Sequence, residues 1–284
     1  MSEILGGIFT SHVPGIGGAI AKGLQNDPYW KPFFDGFPPI HRWLARKRPD
    51  MAVVFYNDHG LNFFLDKMPT FAIGAAREYR HEDEGWGLSF QRPFAGIPEL
   101  SWHIIKTVVA REFDPVMCQE MLVDHAVAVP FELLWPGTES FPVRLVPIAI
   151  NTVQHPLPSP KRCLELGRAV GRALRSWQGD ERIVVLGTGG LSHQLEGQRA
   201  GFINKEFDRF CLDNIGPNPE ALLQYDSLDL VELAGSQGVE ILNWLAARGA
   251  MAGEVVELES NYHIPISNTA AATMLLECRE PVPA

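Results

Sequence analysis

The sequence predicts an α/β fold in one domain: a central, mostly buried β-sheet flanked by helices on both faces. Three observations carry this. Short apolar runs rich in Val and Ile recur along the 284 residues, as strands buried on both faces require. Helix-like stretches alternate with them, the pattern of sheets covered by helices. No repeat, low-complexity tract or charged linker interrupts the chain, so residues 1–284 read as a single domain.

In chain order, the first strand is expected at 4–10 and the second at 51–56; a third falls at 143–150 and a fourth at 182–186. Gly15–Gly18, Pro38–Pro39 and Pro156–Pro160 read as loops, and the Asp83-Glu84-Gly85-Trp86-Gly87 stretch as a turn. The clearest helix spans about 161–177. Ser159 is placed as its N-cap, Pro160 sits at its first position, and Leu164, Leu166, Ala169, Val170, Ala173, Leu174 and Trp177 form its apolar face. If Ser236 caps a later helix, Glu240 lies at its fourth helical position.

Composition narrows the function. The formal net charge is −10 and the pI about 5.4, which disfavours nucleic acid and anionic membranes as partners. Cys118, Cys163, Cys211 and Cys278 lie far apart, without a C-x-x-C pair. They read as reduced thiols of a cytoplasmic protein rather than as a disulfide framework or zinc knuckle. The apolar run at 4–9 is too short for a membrane span and lacks the basic flank of a signal peptide.

The chemistry concentrates where predicted strands end. The first runs into Thr10-Ser11-His12 and the second into Asn57-Asp58-His59-Gly60. The fourth leads into Gly187-Thr188-Gly189-Gly190-Leu191-Ser192-His193. The carboxyl edge of an open α/β sheet is where ligands bind, and the glycines let backbone and ligand approach closely. One strand-end histidine is usually a packing residue; three in the same topological place point to a site. Histidines alone do not compensate a metal's charge, and Glu240 is the candidate carboxylate. Its neighbours Ile241 and Trp244 place it beside an apolar face, where a carboxylate needs a partner; the other reading is an exposed Glu favoured by the helix dipole. Two histidines and one carboxylate form the facial set that leaves open positions on non-haem iron(II). The same set also serves catalytic zinc, so a zinc- or manganese-dependent hydrolase is the alternative. His125 and His263 read as neighbours of the site or hydrogen-bonded core residues. Asp58 either orients a ligand histidine or caps the next turn.

With these residues placed, the chain resembles the class III extradiol ring-cleaving dioxygenases, the family of the catalytic subunit of protocatechuate 4,5-dioxygenase. The resemblance rests on Thr10-Ser11-His12-Val13-Pro14, Tyr56-Asn57-Asp58-His59, Val123-Asp124-His125, Gly187 through Leu195, Asn204-Lys205-Glu206-Phe207-Asp208, Glu240 in its Gly-Val-Glu context, and Tyr262-His263-Ile264-Pro265 through Ala270. It implies that His12, His59 and Glu240 bind Fe(II), that His193 is the active-site acid/base, and that His125 borders the dioxygen side. It also implies that Ser267, with Asn268, holds a substrate carboxylate; the alternative for both is to cap a helix beginning near Ala270. The implied reaction is meta cleavage of a catecholic aromatic acid by O2. The chain shows no additional small helical domain of the kind that gallate-cleaving relatives carry, so a separate small helical subunit closing the site is implied, in a hetero- or homo-oligomer. Ala126 stands where the family pattern has glycine after Asp-His, which bears on substrate choice.

Overall fold

The computed structural model describes residues 2–86, 92–251, 253–266 and 268–279. Its strands are β1 (Glu3–Thr10), β2 (Met51–Tyr56), β3 (Phe71–Gly74), β4 (Glu78–His81), β5 (Phe94–Ala95), β6 (Val116–Cys118), β7 (Leu122–Val123), β8 (Arg144–Ile150), β9 (Arg182–Thr188), β10 (Val255–Ile266) and β11 (Thr269–Cys278). Eight of them form one mixed sheet in the order β10-β11-β1-β9-β2-β8-β3-β6. The four at its centre, β1, β9, β2 and β8, run parallel. Antiparallel pairings flank them on both sides, β11 against β1 and β3 against β8.

The continuous apolar runs arise because this sheet has two covered faces. Along β2, Met51, Val53 and Phe55 enter one core, while Ala52, Val54 and Tyr56 enter the other, as a period of two demands. The first core is closed by helices Pro98–Val109, Pro160–Ser176, Lys205–Ile215 and Ile241–Ala250; the second by Pro14–Ala21, Phe37–Lys47 and His125–Leu134. The expected single α/β domain is thus the one observed. Helix Pro160–Ser176 also begins as expected, with Ser159 Oγ accepting the Arg162 N–H at 3.3 Å.

Helices Pro160–Ser176 and Ile241–Ala250 pack through glycine. A Cβ on Gly167 would collide with the Ala246 carbonyl oxygen, and one on Gly171 with that of Ala250.

Four expectations are corrected. Gly15–Gly18 lie within helix Pro14–Ala21, whose Ile16, Gly17 and Ala19 are buried; tertiary burial overrides glycine's low propensity. Pro38 and Pro39 occupy the first turn of Phe37–Lys47, where a missing N–H costs nothing. Ser236 caps no helix: a 3₁₀ turn, Gly238–Glu240, leads into Ile241–Ala250, so Glu240 stands at the junction. No helix starts near Ala270, because Thr269–Cys278 is β11, paired on both sides. Among the described residues no helix is long and apolar enough to cross a membrane.

Candidate metal centre

In the sheet β9 lies between β1 and β2, so the segments leaving the carboxyl ends of these parallel strands converge. His12 follows β1, His59 follows β2, and His193 closes the turn after β9. Glu240 enters from the start of helix Ile241–Ala250, which packs over the same strands.

Nε2 of His12 and Nε2 of His59 each lie 3.4 Å from Glu240 Oε1. His193 Nε2 lies 3.9 Å from the other oxygen, Oε2. The His125 ring stands 4.1 Å from His59 and 5.3 Å from His12, centroid to centroid. One ring nitrogen from each of His12, His59 and His125 falls within a 4.8 Å cluster able to hold a metal ion.

The opposite nitrogens are engaged elsewhere. His12 Nδ1 is 3.2 Å from Thr188 Oγ1. Asp124 Oδ2 accepts from both Nδ1 and the backbone N–H of His59, at 3.0 and 2.8 Å. Glu84 Oε2 does the same for His125, at 2.7 and 2.9 Å. His193 Nδ1 is 2.8 Å from the Leu191 carbonyl, which only accepts. The proton is therefore on Nδ1, and neutral His193 turns a lone pair at Nε2 toward Glu240.

Glu240 is fixed independently. The Gly190 N–H donates to Oε2 at 2.7 Å and Asn57 Nδ2 to Oε1 at 3.0 Å. Asn243 holds Asn57 in turn, donating to its Oδ1 at 3.0 Å. Gly189 makes this approach possible: its φ is +114°, and an added Cβ would stand 2.7 Å from Glu240 Cβ.

Charge is distributed accordingly. Burial would raise the Glu240 carboxyl, yet His12, His59 and His193 hold it well below the carboxylate range. Burial likewise opposes a charged His59, but Asp124 and Glu240 push it up to about 10. Burial would raise Asp124 too; its bond to His59 brings it down to about 2. Burial and the adjacent His59 charge push His125 down to about 4, and burial lowers His193. The fixed carboxylates of Asp124 and Glu240 make a pocket suited to a cation. The donors themselves suit a divalent transition metal: two imidazole nitrogens and one carboxylate oxygen, each oriented by a hydrogen bond behind it.

His12, His59, His125, His193 and Glu240 are thus brought together. Ser267 lies outside the described residues. Asn268 is exposed in a turn with φ 59°, beside Thr269, which bridges to His193. Of its two readings, Asp58 takes the second: it accepts the backbone N–H groups of the turn after His59. Asp124 is the carboxylate that orients His59, and Glu84 the one on His125. The Val-Asp-His string held a signal for the first, since Asp124 also N-caps helix His125–Leu134. The stretches holding Asn57 and Glu84 were marked, but not the contacts these residues make with Glu240 and His125.

The fold and cluster together define an α/β protein with a metal-competent histidine–carboxylate centre at the carboxyl edge of its sheet. Residues 6–274 match the family described as the catalytic LigB subunit of aromatic ring-opening dioxygenase. The chain belongs to that family, and the class III extradiol resemblance read from its motifs holds.

Among curated proteins, it is 36% identical to gallate dioxygenase of Pseudomonas putida KT2440 over 198 residues, 70% of this chain and 58% of that protein. It is 32% identical over 216 residues to a 2,3-dihydroxyphenylpropionate/2,3-dihydroxicinnamic acid 1,2-dioxygenase of Photorhabdus laumondii, 75% of this chain and 64% of that protein. A protein of the same description from Rhodococcus jostii is 29% identical over 276 residues, 80% of this chain and 85% of its own. The chain thus spans less than two thirds of the first two relatives. An uncharacterized protein from Escherichia coli K12 superposes with a TM-score of 0.56 at 12% identity, covering 95% of this chain and 99% of that one; this likeness concerns the fold alone.

Proposed function

We propose that this chain cleaves a dihydroxylated aromatic acid such as protocatechuate by extradiol (meta) opening with O2, at a non-haem Fe(II) held by His12, His59 and Glu240. The observation that carries the reading is the convergence of two Nε2 atoms on one Glu240 oxygen at 3.4 Å each. An iron(II) there would supply Lewis acidity to the substrate's hydroxyls and a path for electrons to O2. The chain's own residues do the rest. Neutral His193, with Nδ1 bound to the Leu191 carbonyl, accepts a phenolic proton at Nε2 and returns it as the ring opens. His125, held by Glu84, walls the side on which O2 enters. Ser267 and Asn268 hold the substrate carboxylate, giving a ring-opened hydroxymuconate semialdehyde-type product.

A small helical subunit covers the centre in this reading. Phe64, Leu65, Trp86 and Leu195 are exposed on the segments that carry His59, Glu84 and His193, an apolar rim a lid would bury. The four free cysteines and an iron kept ferrous suit the cytoplasm.

Metal analysis after anaerobic purification, followed by oxygen-electrode assays over a panel of dihydroxybenzoates, tests the proposal. Iron with stoichiometric O2 uptake and a yellow ring-opened product is expected. Zinc or manganese without O2 uptake would replace it with the metal-dependent hydrolase using the same residues.

A further inference from the structure

On helix Pro160–Ser176 the residues Arg168, Arg172 and Arg175 follow at i, i+4 and i+7, on one face. With Arg248 and Glu220 they line a cavity of about 450 Å³. In a chain of net charge −10, this is a local excess of cations, and no residue of the metal centre lines the cavity. Arg172 also lines a second cavity, with Arg111, Lys161 and Arg162.

Three of these arginines have evident structural roles. Arg248 donates to the carbonyls of Gly216, Met251 and Gly253 at 2.9–3.2 Å, and Arg175 donates to that of Ala250 at 3.3 Å. Both thereby satisfy the end of helix Ile241–Ala250. Arg168 pairs with Glu165 and Glu220.

Arg172 is different. Among the described residues it has no ion pair, and its Nε is buried without an acceptor. A buried guanidinium nitrogen left unpaired is costly, and the cost grows beside like charges. Burial, Arg111 and Arg168 all push Arg172 below its ordinary value, against Glu165 alone; burial and Arg172 do the same to Arg175. An anion in the cavity would accept from the guanidinium that Arg172 presents to it and relieve the repulsion. The guanidinium fork suits the paired oxygens of carboxylate or phosphate.

We infer that the cavity between Arg168, Arg172 and Arg175 is a binding site for a compact multivalent oxyanion, a phosphate or a polycarboxylate. Arg172 is its anchor, and the site is independent of the metal centre.

Isothermal titration of the full, iron-loaded chain with pyrophosphate, inorganic phosphate and citrate, at constant ionic strength set with NaCl, tests this. Saturable one-to-one binding is expected. Preference for the phosphates or for citrate identifies which oxyanion the site takes. Arg172→Ala should weaken it about tenfold or more, the scale of a charged hydrogen bond. Arg172→Lys, which keeps the charge, should recover part of the affinity. Lys161→Ala, which removes a cation outside this cavity, should leave binding unchanged. Glu240→Ala, which disables the metal centre as a competing site, should also retain it. No saturable binding of any of the three, equal affinity in wild type and Arg172→Ala, or binding lost in Glu240→Ala but kept in Arg172→Ala would each overturn the inference.

Discussion

Each imidazole at the centre has one nitrogen engaged away from the cavity, and the partner differs in kind: a hydroxyl for His12, carboxylates for His59 and His125, a carbonyl for His193. These partners divide the roles, and substitution should separate them. His12→Ala, His59→Ala and Glu240→Ala should each lose most bound iron while folding, as iron content per folded chain would show; full occupancy in any one would remove that residue from the metal site. Asp124→Asn keeps all donors but weakens the orientation of His59, so a drop in iron affinity of about 10–100-fold is expected in chelator competition. His193→Phe should keep its iron and lose turnover by about 10²–10⁴-fold, read from single-turnover rates beside metal content. Ser267→Ala should lower kcat/KM for a carboxylated substrate by about 1.5–3 kcal/mol and leave catechol little changed; equal losses would make Ser267 structural. The histidines were legible because each ends an apolar run. Asp124 was marked only as a member of the Val-Asp-His string, and Glu84 only as part of a turn, since their partners are distant in sequence and nothing local reveals which carboxylate reaches which ring.

At the scale of elements, the sequence marked β1, β2, β8, β9 and helix Pro160–Ser176 to within a residue or two. Continuous apolar runs and a Ser-Pro cap are local signals. β11 was misread in part because its Ala-rich start favours helix, a preference that pairing with both β1 and β10 overrides. Helix Pro14–Ala21 was hidden for the converse reason, its glycines being held by burial rather than propensity. Gly167 and Gly171 look like weaknesses in their helix, yet they set its distance from Ile241–Ala250 and hence the position of Glu240. Gly171→Ala should destabilise the protein by about 1–3 kcal/mol through overpacking, measured by urea denaturation. An unchanged midpoint would mean that the helices part cheaply. The arginine face escaped notice because its members are spaced by apolar residues and gather only through the helical period.

For the molecule as a whole, a ligand that binds only the folded state stabilises it by mass action, about 2.7 kcal/mol at a hundredfold excess over Kd. Anaerobic Fe(II) should therefore raise the Tm of the wild type and leave that of Glu240→Ala unchanged. A rise of equal size in both would place the stabilising iron elsewhere. The family match over residues 6–274 and the eight-stranded sheet make this a property of one cooperative domain, so a single transition is expected with and without metal.

The placement of β9 between β1 and β2 bears on how the protein acquires its metal. The proposed donors lie at positions 12, 59 and 240, and the strand between β1 and β2 is made only after the first two. A growing chain can gather His12 and His59 in this arrangement only once β9 has been made, and Glu240 follows still later. Pairings of such long sequence separation form slowly, so no early partly folded form offers a complete set of donors. Unlike a zinc finger, whose ion templates the fold, this chain is expected to fold first and be loaded afterwards. During refolding, tryptophan fluorescence should recover before iron is taken up; simultaneous recovery would mean that the metal takes part in folding.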